Sequence, residues 1–310
     1  MNDTATSEHY CKSPVLFLIF NRPDTTRQVF EAIRAARPPR LYVAADGPRS
    51  SRSGEAEKCE EARQIATAVD WDCEVKTIFR EGNLGCKYAV AGALDWFFEQ
   101  ENEGIILEDD CLPTQSFFLF CDQMLQRYRD DARVFLVSGY NKQQKWNTSH
   151  GDYFFSNYGG IWGWASWRRA WENYEPEMEM LDTVIARQQL QHLLGRNDGQ
   201  RRGSTLLRVK KHEIDSWAYP WGFARHINNG LACVPRVSLV ENIGFGEDAT
   251  HTTSRGGDGV HAQELSFPLK HNPIMIPDRD YDALFHPRAS MVRRIAGRIW
   301  RFGKTIMRSR

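Results

Sequence analysis

The chain has 310 residues, 41% of them hydrophobic, enough to bury a sizeable core, which excludes a disordered polypeptide. Lys+Arg and Asp+Glu both number 40, so no overall field favours nucleic acid, and a charged ligand must be met by a local cluster. Seven cysteines without CxxC pairing exclude a zinc ribbon or a disulfide-built scaffold and suit the reducing cytoplasm.

Val15 to Phe20 is an apolar run with no basic n-region before it, too short for a signal sequence or a membrane span. It reads as a strand, ended by Asn21-Arg22-Pro23-Asp24. Thr25 to Ala36 then sets Val29, Ile33 and Ala36 at helical spacing. Leu41 to Ala45 is a second strand, closed by the turn Asp46-Gly47-Pro48 and followed by a polar helix from about Glu55 to Val69. Cys73 to Phe79 is a third strand, Arg80 to Gly85 a glycine-containing loop, and Tyr88 to Phe98 a helix. Gly104 to Leu107, a fourth strand, runs into Glu108-Asp109-Asp110; Ser116 to Tyr128 is helical and Val134 to Ser138 a further strand. This alternation predicts an α/β fold with a mostly parallel sheet, helices on both faces, and ligands outside the carboxyl ends of the strands.

The composition shifts near residue 140. Trp146 to Trp171, with Trp217 and Trp221, is aromatic and glycine-rich, interrupted by a polar helical insert from about Met180 to Leu194 and a predicted loop from Gly195 to Gly203. We expect three parts: 1–140, 141–285, and a tail, 286–310. The tail has no acidic residue and spaces Met291, Ile295, Ile299, Trp300 and Ile306 among Arg and Lys. It reads as a basic amphipathic helix, which either meets an anionic membrane surface or packs on protein.

Three acids at the end of a buried strand are the sharpest chemical feature. Carboxylates are preferred ligands of Mg²⁺ and Mn²⁺, which take one or two from protein and complete their shell with phosphate oxygens. The competing reading is a solvated acidic turn capping the helix near Pro113. No GxGxxG or Walker-type loop is present.

The ordered blocks FNRP (Phe20 to Pro23), ADGPR (Ala45 to Arg49), NLG (Asn83 to Gly85), LEDDCLP (Leu107 to Pro113) and VSGYN (Val137 to Asn141) resemble bacterial GT-A glycosyltransferases of the hemolytic-protein-like kind. WGWASWRRAW (Trp162 to Trp171), DSWAYPW (Asp215 to Trp221) and NIGFGEDATH (Asn242 to His251) match the later half of that family. A more distant similarity is to animal N-acetylglucosaminyltransferase I, an inverting Mn²⁺ enzyme. The resemblance implies a GT-A fold, with 1–140 binding a nucleotide-sugar donor and 141–285 facing a glycan or glycolipid acceptor. It also implies that Asp110 touches the metal, that Glu108 and Asp109 hold the ribose and sugar side, that Asp46 faces the nucleobase, and that Arg22 lies near phosphates or base. Asn83, in the NLG block, joins the donor-binding set. The bland readings are a tight turn at Asp46 and a surface-loop role for Arg22.

An inverting transfer needs a base for the acceptor hydroxyl. Asp215 is the candidate, with Glu247 and Asp248 as alternatives and a helix N-cap ahead of Trp217 as its structural reading. Trp162 or Trp164 is the expected sugar contact, the remaining tryptophans being core, and Gly160 and Gly163 suggest close backbone approach to a ligand. His251 either joins the metal or phosphate or is a satisfied loop residue. The expectation is therefore a cytoplasmic, metal-dependent glycosyltransferase, peripheral on the inner membrane face, using a nucleotide-sugar of the UDP type. Its rivals are a nucleotidyltransferase making a nucleotide-sugar and a non-catalytic carbohydrate-binding protein.

Overall fold

In the computed structural model, which describes residues 11–148, 150–244 and 259–285, the short apolar runs form strands and the amphipathic segments between them form helices. The first half runs β1 (Val15–Ile19), α1 (Pro23–Ala36), β2 (Arg40–Ala45), α2 (Glu55–Ala66), β3 (Glu74–Phe79), α3 (Gly85–Gln100), β4 (Glu103–Glu108), β5 (Cys111–Pro113), α4 (Gln115–Arg127) and β6 (Val134–Ser138). The second runs β7 (Tyr153–Ser156), β8 (Trp164–Trp167), α5 (Arg168–Trp171), α6 (Leu181–Ala186), α7 (Gln189–Leu194), α8 (Arg196–Lys210), α9 (Ala218–Ile227), β9 (Leu231–Pro235), β10 (Val240–Asn242) and α10 (Arg279–Ala283).

Eight strands make one mixed, mostly parallel sheet in the order β3-β2-β1-β4-β8-β6-β9-β7, a Rossmann-like layout. β1 lies parallel to both β2 and β4, and β2 parallel to β3, so Ile19, Ala45, Phe79 and Glu108 end on one edge of the sheet. β8 is inserted antiparallel between β4 and β6, and β7 runs antiparallel to β9. β5 and β10 form a separate two-stranded ribbon that brings Asn242 opposite Cys111, next to the acids.

Side-chain alternation along β1 feeds two cores. Val15, Phe17 and Ile19 pack with Val29, Phe30 and Ile33 of α1 and with Phe117 and Phe120 of α4. Leu16 and Leu18 face the other way, into Leu94 and Phe97 of α3 and into Trp164, Trp217 and Trp221. Full burial of such side chains stabilises by about 1.5–3 kcal/mol each, which explains why both faces of these strands are apolar.

Two expectations are corrected. The predicted loop from Gly195 to Gly203 is the start of α8. Of its glycines, Gly199 marks close packing: a Cβ there would stand 2.5 Å from the Gln191 Cα, so α8 lies directly on the backbone of α7. The acids do not cap the helix after Pro113 either, because Glu264 does, its carboxylate accepting the N–H groups of Gln115 (3.2 Å) and Ser116 (3.0 Å) at the start of α4. Among the described residues no helix is long and apolar enough to cross a membrane. The basic tail expected over 286–310 lies outside the described residues.

Candidate active site

The chain leaves β1 at Phe20 and enters α1 through Arg22. Pro23 fits the first turn because that position has no intrahelical N–H bond to lose. The Arg22 carbonyl accepts the Thr26 N–H at 3.0 Å and the Thr26 hydroxyl at 2.8 Å. Its guanidinium reaches the end of β4, where Nη2 donates to Asp109 Oδ1 at 2.6 Å and Nη1 to Asp110 Oδ2 at 2.8 Å. Asp109 is 2% exposed and also accepts the Phe20 N–H at 3.1 Å, so it anchors the β1 turn more than it faces a ligand. Glu108 lines the cleft, and its carboxylate has no hydrogen bond or ion pair among the described residues.

Three carboxylates therefore surround one guanidinium, which pairs with two of them. Burial alone would lower the pKa of Arg22, and Asp109 and Asp110 more than reverse it. Burial, and then Asp110 and Asp109, push the Glu108 carboxyl well above the usual carboxylate range; burial also raises Asp109, against the pull of Arg22. The folded protein thus holds the Glu108 proton more tightly than the unfolded chain does, and stability is lost as pH rises from the usual carboxylate range through neutrality. Glu108→Gln should flatten that loss in thermal melts taken across pH; parallel profiles for the two proteins would show Glu108 to be solvated.

Among the described residues no three His, Cys, Asp or Glu side chains cage a point by themselves. The acid surplus and the unpartnered Glu108 nonetheless suit a hard divalent ion whose remaining ligands are phosphate oxygens. Asp110, with Glu108 beside it, would hold such an ion.

The neighbouring motifs are interlocked. Arg49 binds Glu55 through its guanidinium and through its N–H at 2.7 Å, and its guanidinium lies 5.4 Å from the Phe20 ring centroid. The hydrogen bonds from Arg49 hold the Glu55 carboxyl below the usual range. Asn21 Nδ2 donates to the same carboxylate at 2.9 Å, tying the FNRP and ADGPR loops together. Asp46 Oδ1 accepts the Gly47 and Leu84 N–H groups, both at 2.9 Å, and Oδ2 accepts Gly85 N–H at 3.0 Å and Asn83 Nδ2 at 2.9 Å. Asp46 and Asn83 thereby fasten the β2 loop to the start of α3. Gly47 is needed there, since a Cβ would come within 2.6 Å of the Glu81 carbonyl carbon.

Asp215 arrives from the second half of the chain. Its Oδ2 accepts the Cys86 N–H and its Oδ1 the Lys87 N–H, both at 2.8 Å, so it caps α3 and not the helix after Trp217. Each oxygen has accepting capacity left beyond that one bond, and Asp215 lines the cleft. Trp162 is also on the cleft wall, edge-on to Tyr140 at 4.7 Å, whereas Trp164 is 0% exposed and stacked on Trp217 at 5.6 Å. A side chain without exposed surface cannot meet a sugar, so Trp164 belongs to the core and the candidate contact narrows to Trp162. Gly160 and Gly163 approach protein, not a ligand: a Cβ on Gly160 would meet the Tyr140 ring, and Gly163, at φ +60°, abuts Val240 and Leu107. Glu247, Asp248 and His251 lie outside the described residues.

Together these residues bound a cleft of about 810 Å³ across the carboxyl ends of β3, β2, β1 and β4, as ligand sites in open parallel sheets are placed. Two of its features went unread in the sequence. Arg80 lines the β3 end, and only its place directly after a strand could have drawn attention to it. Gly244 abuts the ion pair: a Cβ there would overlap Asp110 Oδ2 and lie 2.8 Å from Arg22 Nη1.

No protein-family model matches the chain, and no curated protein matches it in sequence. Solved structures with a partial likeness include a UDP-glucose pyrophosphorylase complexed with UDP-glucose, at 11% identity and TM-score 0.30, covering 53% of this chain and 79% of that one. Another is an apo UDP-glucose pyrophosphorylase, at 8% identity and TM-score 0.34, covering 75% of this chain and 93% of that one. Likeness of that degree is confined to the general α/β layout.

Proposed function

We propose that this protein is a metal-dependent glycosyltransferase of the GT-A type, which moves a sugar from a UDP-sugar to a glycan or glycolipid acceptor. The observation that carries the reading is the surplus of carboxylates around Arg22 at the β4 end of an open cleft. A divalent cation held there by Asp110 and Glu108 would act as a Lewis acid on the departing diphosphate. Arg22, paired with two of the acids, would face the same phosphates, and Asp46 and Asn83 hold a loop that would border the nucleoside.

Asp215 is the base in this reading. Its carboxylate is oriented by the two α3 amides, and the free lone pairs take the acceptor hydroxyl proton as that oxygen attacks the anomeric carbon. The bond from that carbon to the diphosphate breaks with its electron pair leaving on the phosphate oxygen, which inverts the anomeric centre. Trp162 offers an apolar face to the acceptor sugar, and the basic segment 286–310 would hold the enzyme where lipid-linked acceptors lie.

The reading is tested by supplying UDP-sugars with Mn²⁺ and a lipid-linked acceptor pool and following UDP release and labelled product. Transfer should be lost in Asp215→Asn while donor binding survives, with a stability loss of about 1 kcal/mol because the amide keeps only one of the two accepting oxygens. Transfer at wild-type rate in the folded variant would leave Asp215 a cap alone. Formation of UTP from UDP-sugar and pyrophosphate, without transfer, would replace the proposal with nucleotidyl transfer.

A further inference from the structure

Arg80 follows directly on β3, and its backbone is fixed on both sides. Its N–H donates to the Ala45 carbonyl at 3.0 Å, and its own carbonyl accepts Arg63 Nη2 at 2.8 Å. Its side chain lines the cleft half-buried, and the guanidinium has no hydrogen bond or ion pair among the described residues. The other two cleft arginines are engaged, Arg22 by Asp109 and Asp110, and Arg49 by Glu55. Guanidinium is a donor only, and this one turns its donors to the cleft, where a ligand's acceptor oxygen can meet them.

Its place in the fold restricts that ligand. β3 is the edge strand and β4 lies three positions away, so Arg80 stands about 14 Å along the sheet from the acids. The apolar lining of the cleft includes Ala44 of β2, Ile78 of β3, and Ala89 and Val90 of α3. Gly92 of α3 leaves the guanidinium its room, since a Cβ there would stand 2.7 Å from Arg80 Nη2. An apolar recess with one unpaired donor, far from the cation end, suits a flat ring carrying a carbonyl oxygen.

We propose that Arg80 reads the nucleobase, donating to an exocyclic carbonyl oxygen and so selecting an oxo-bearing base such as uracil over adenine, which has none. This rests on the nucleotide-diphosphate reading of the same cleft. The test is titration of UDP, ADP and uridine into the full chain with Mn²⁺, for wild type, Arg80→Leu and Gly92→Ala.

Wild type should bind UDP about tenfold or more tighter than ADP, the difference one charge-assisted hydrogen bond supplies. Arg80→Leu should weaken UDP by about the same factor, leave ADP within about twofold, and weaken uridine as it weakens UDP. Gly92→Ala, which displaces the guanidinium without removing its charge, should shift selectivity the same way while improving helix propensity. Equal weakening of UDP and ADP in Arg80→Leu, or an effect absent with uridine, would assign Arg80 to phosphate and overturn the proposal. Equal affinity of wild type for UDP and ADP would overturn it alone, whereas failure to bind any nucleoside diphosphate would remove the nucleotide reading as well.

Discussion

Asp110→Ala is expected to fold and to lose at least about a hundredfold in manganese-dependent UDP affinity. Asp110 is the more open of the two carboxylates that pair with Arg22, at 16% side-chain exposure against 3% for Asp109, and Arg22 keeps its bond to Asp109 when Asp110 is gone. The fold should therefore lose no more than about 1 kcal/mol, the range of a partly solvated ion pair. Thermal melting and titration on the same preparation separate the two effects. Undiminished affinity in a folded Asp110→Ala protein would move the cation away from β4.

Arg22→Met should have the opposite profile, with stability as the larger loss. Asp109 is buried and depends on Arg22 for compensation, its other partner among the described residues being the Phe20 N–H. Breaking a buried pair by removing one partner costs about 3–5 kcal/mol, because the remaining charge is left uncompensated. Adding Asp109→Asn should recover much of that, since an amide needs no counter-ion. Urea denaturation of the single and double variants checks both statements; a single-variant loss under about 1 kcal/mol would show that water reaches Asp109.

The first half of the fold was legible because its signals are local. The apolar runs at Val15, Leu41 and Val134 are bounded by turn residues, and a parallel strand buried on both faces must be continuously apolar. The acids at Glu108 to Asp110 were legible for the same reason, standing where such a run ends. What the sequence left hidden depends on contacts between distant segments. Asp215 meets Cys86 and Lys87 from across the chain, so its capping of α3 has no local pattern. The insertion of β8 between β4 and β6 is likewise a matter of sheet order, which hydrophobic spacing does not encode.

Glycine was the least reliable guide. At Gly199 it signals a helix lying on another helix, not the loop that a glycine-rich stretch suggests, and at Gly160 it accommodates Tyr140. Arg80 was overlooked because its distinguishing property is the lack of a side-chain partner among the described residues, which sequence cannot express. Conversely, the FNRP and ADGPR motifs read as ligand loops, yet much of their chemistry is spent on each other through Arg49, Glu55 and Asn21.

The central claim is a cation-dependent nucleoside-diphosphate site at the end of β4, and calorimetric titration of UDP into the wild-type protein with and without Mn²⁺ addresses it most directly. Binding that strengthens at least about tenfold on adding Mn²⁺ is the predicted result. Absence of UDP binding in both conditions, from protein that melts cooperatively, would contradict it.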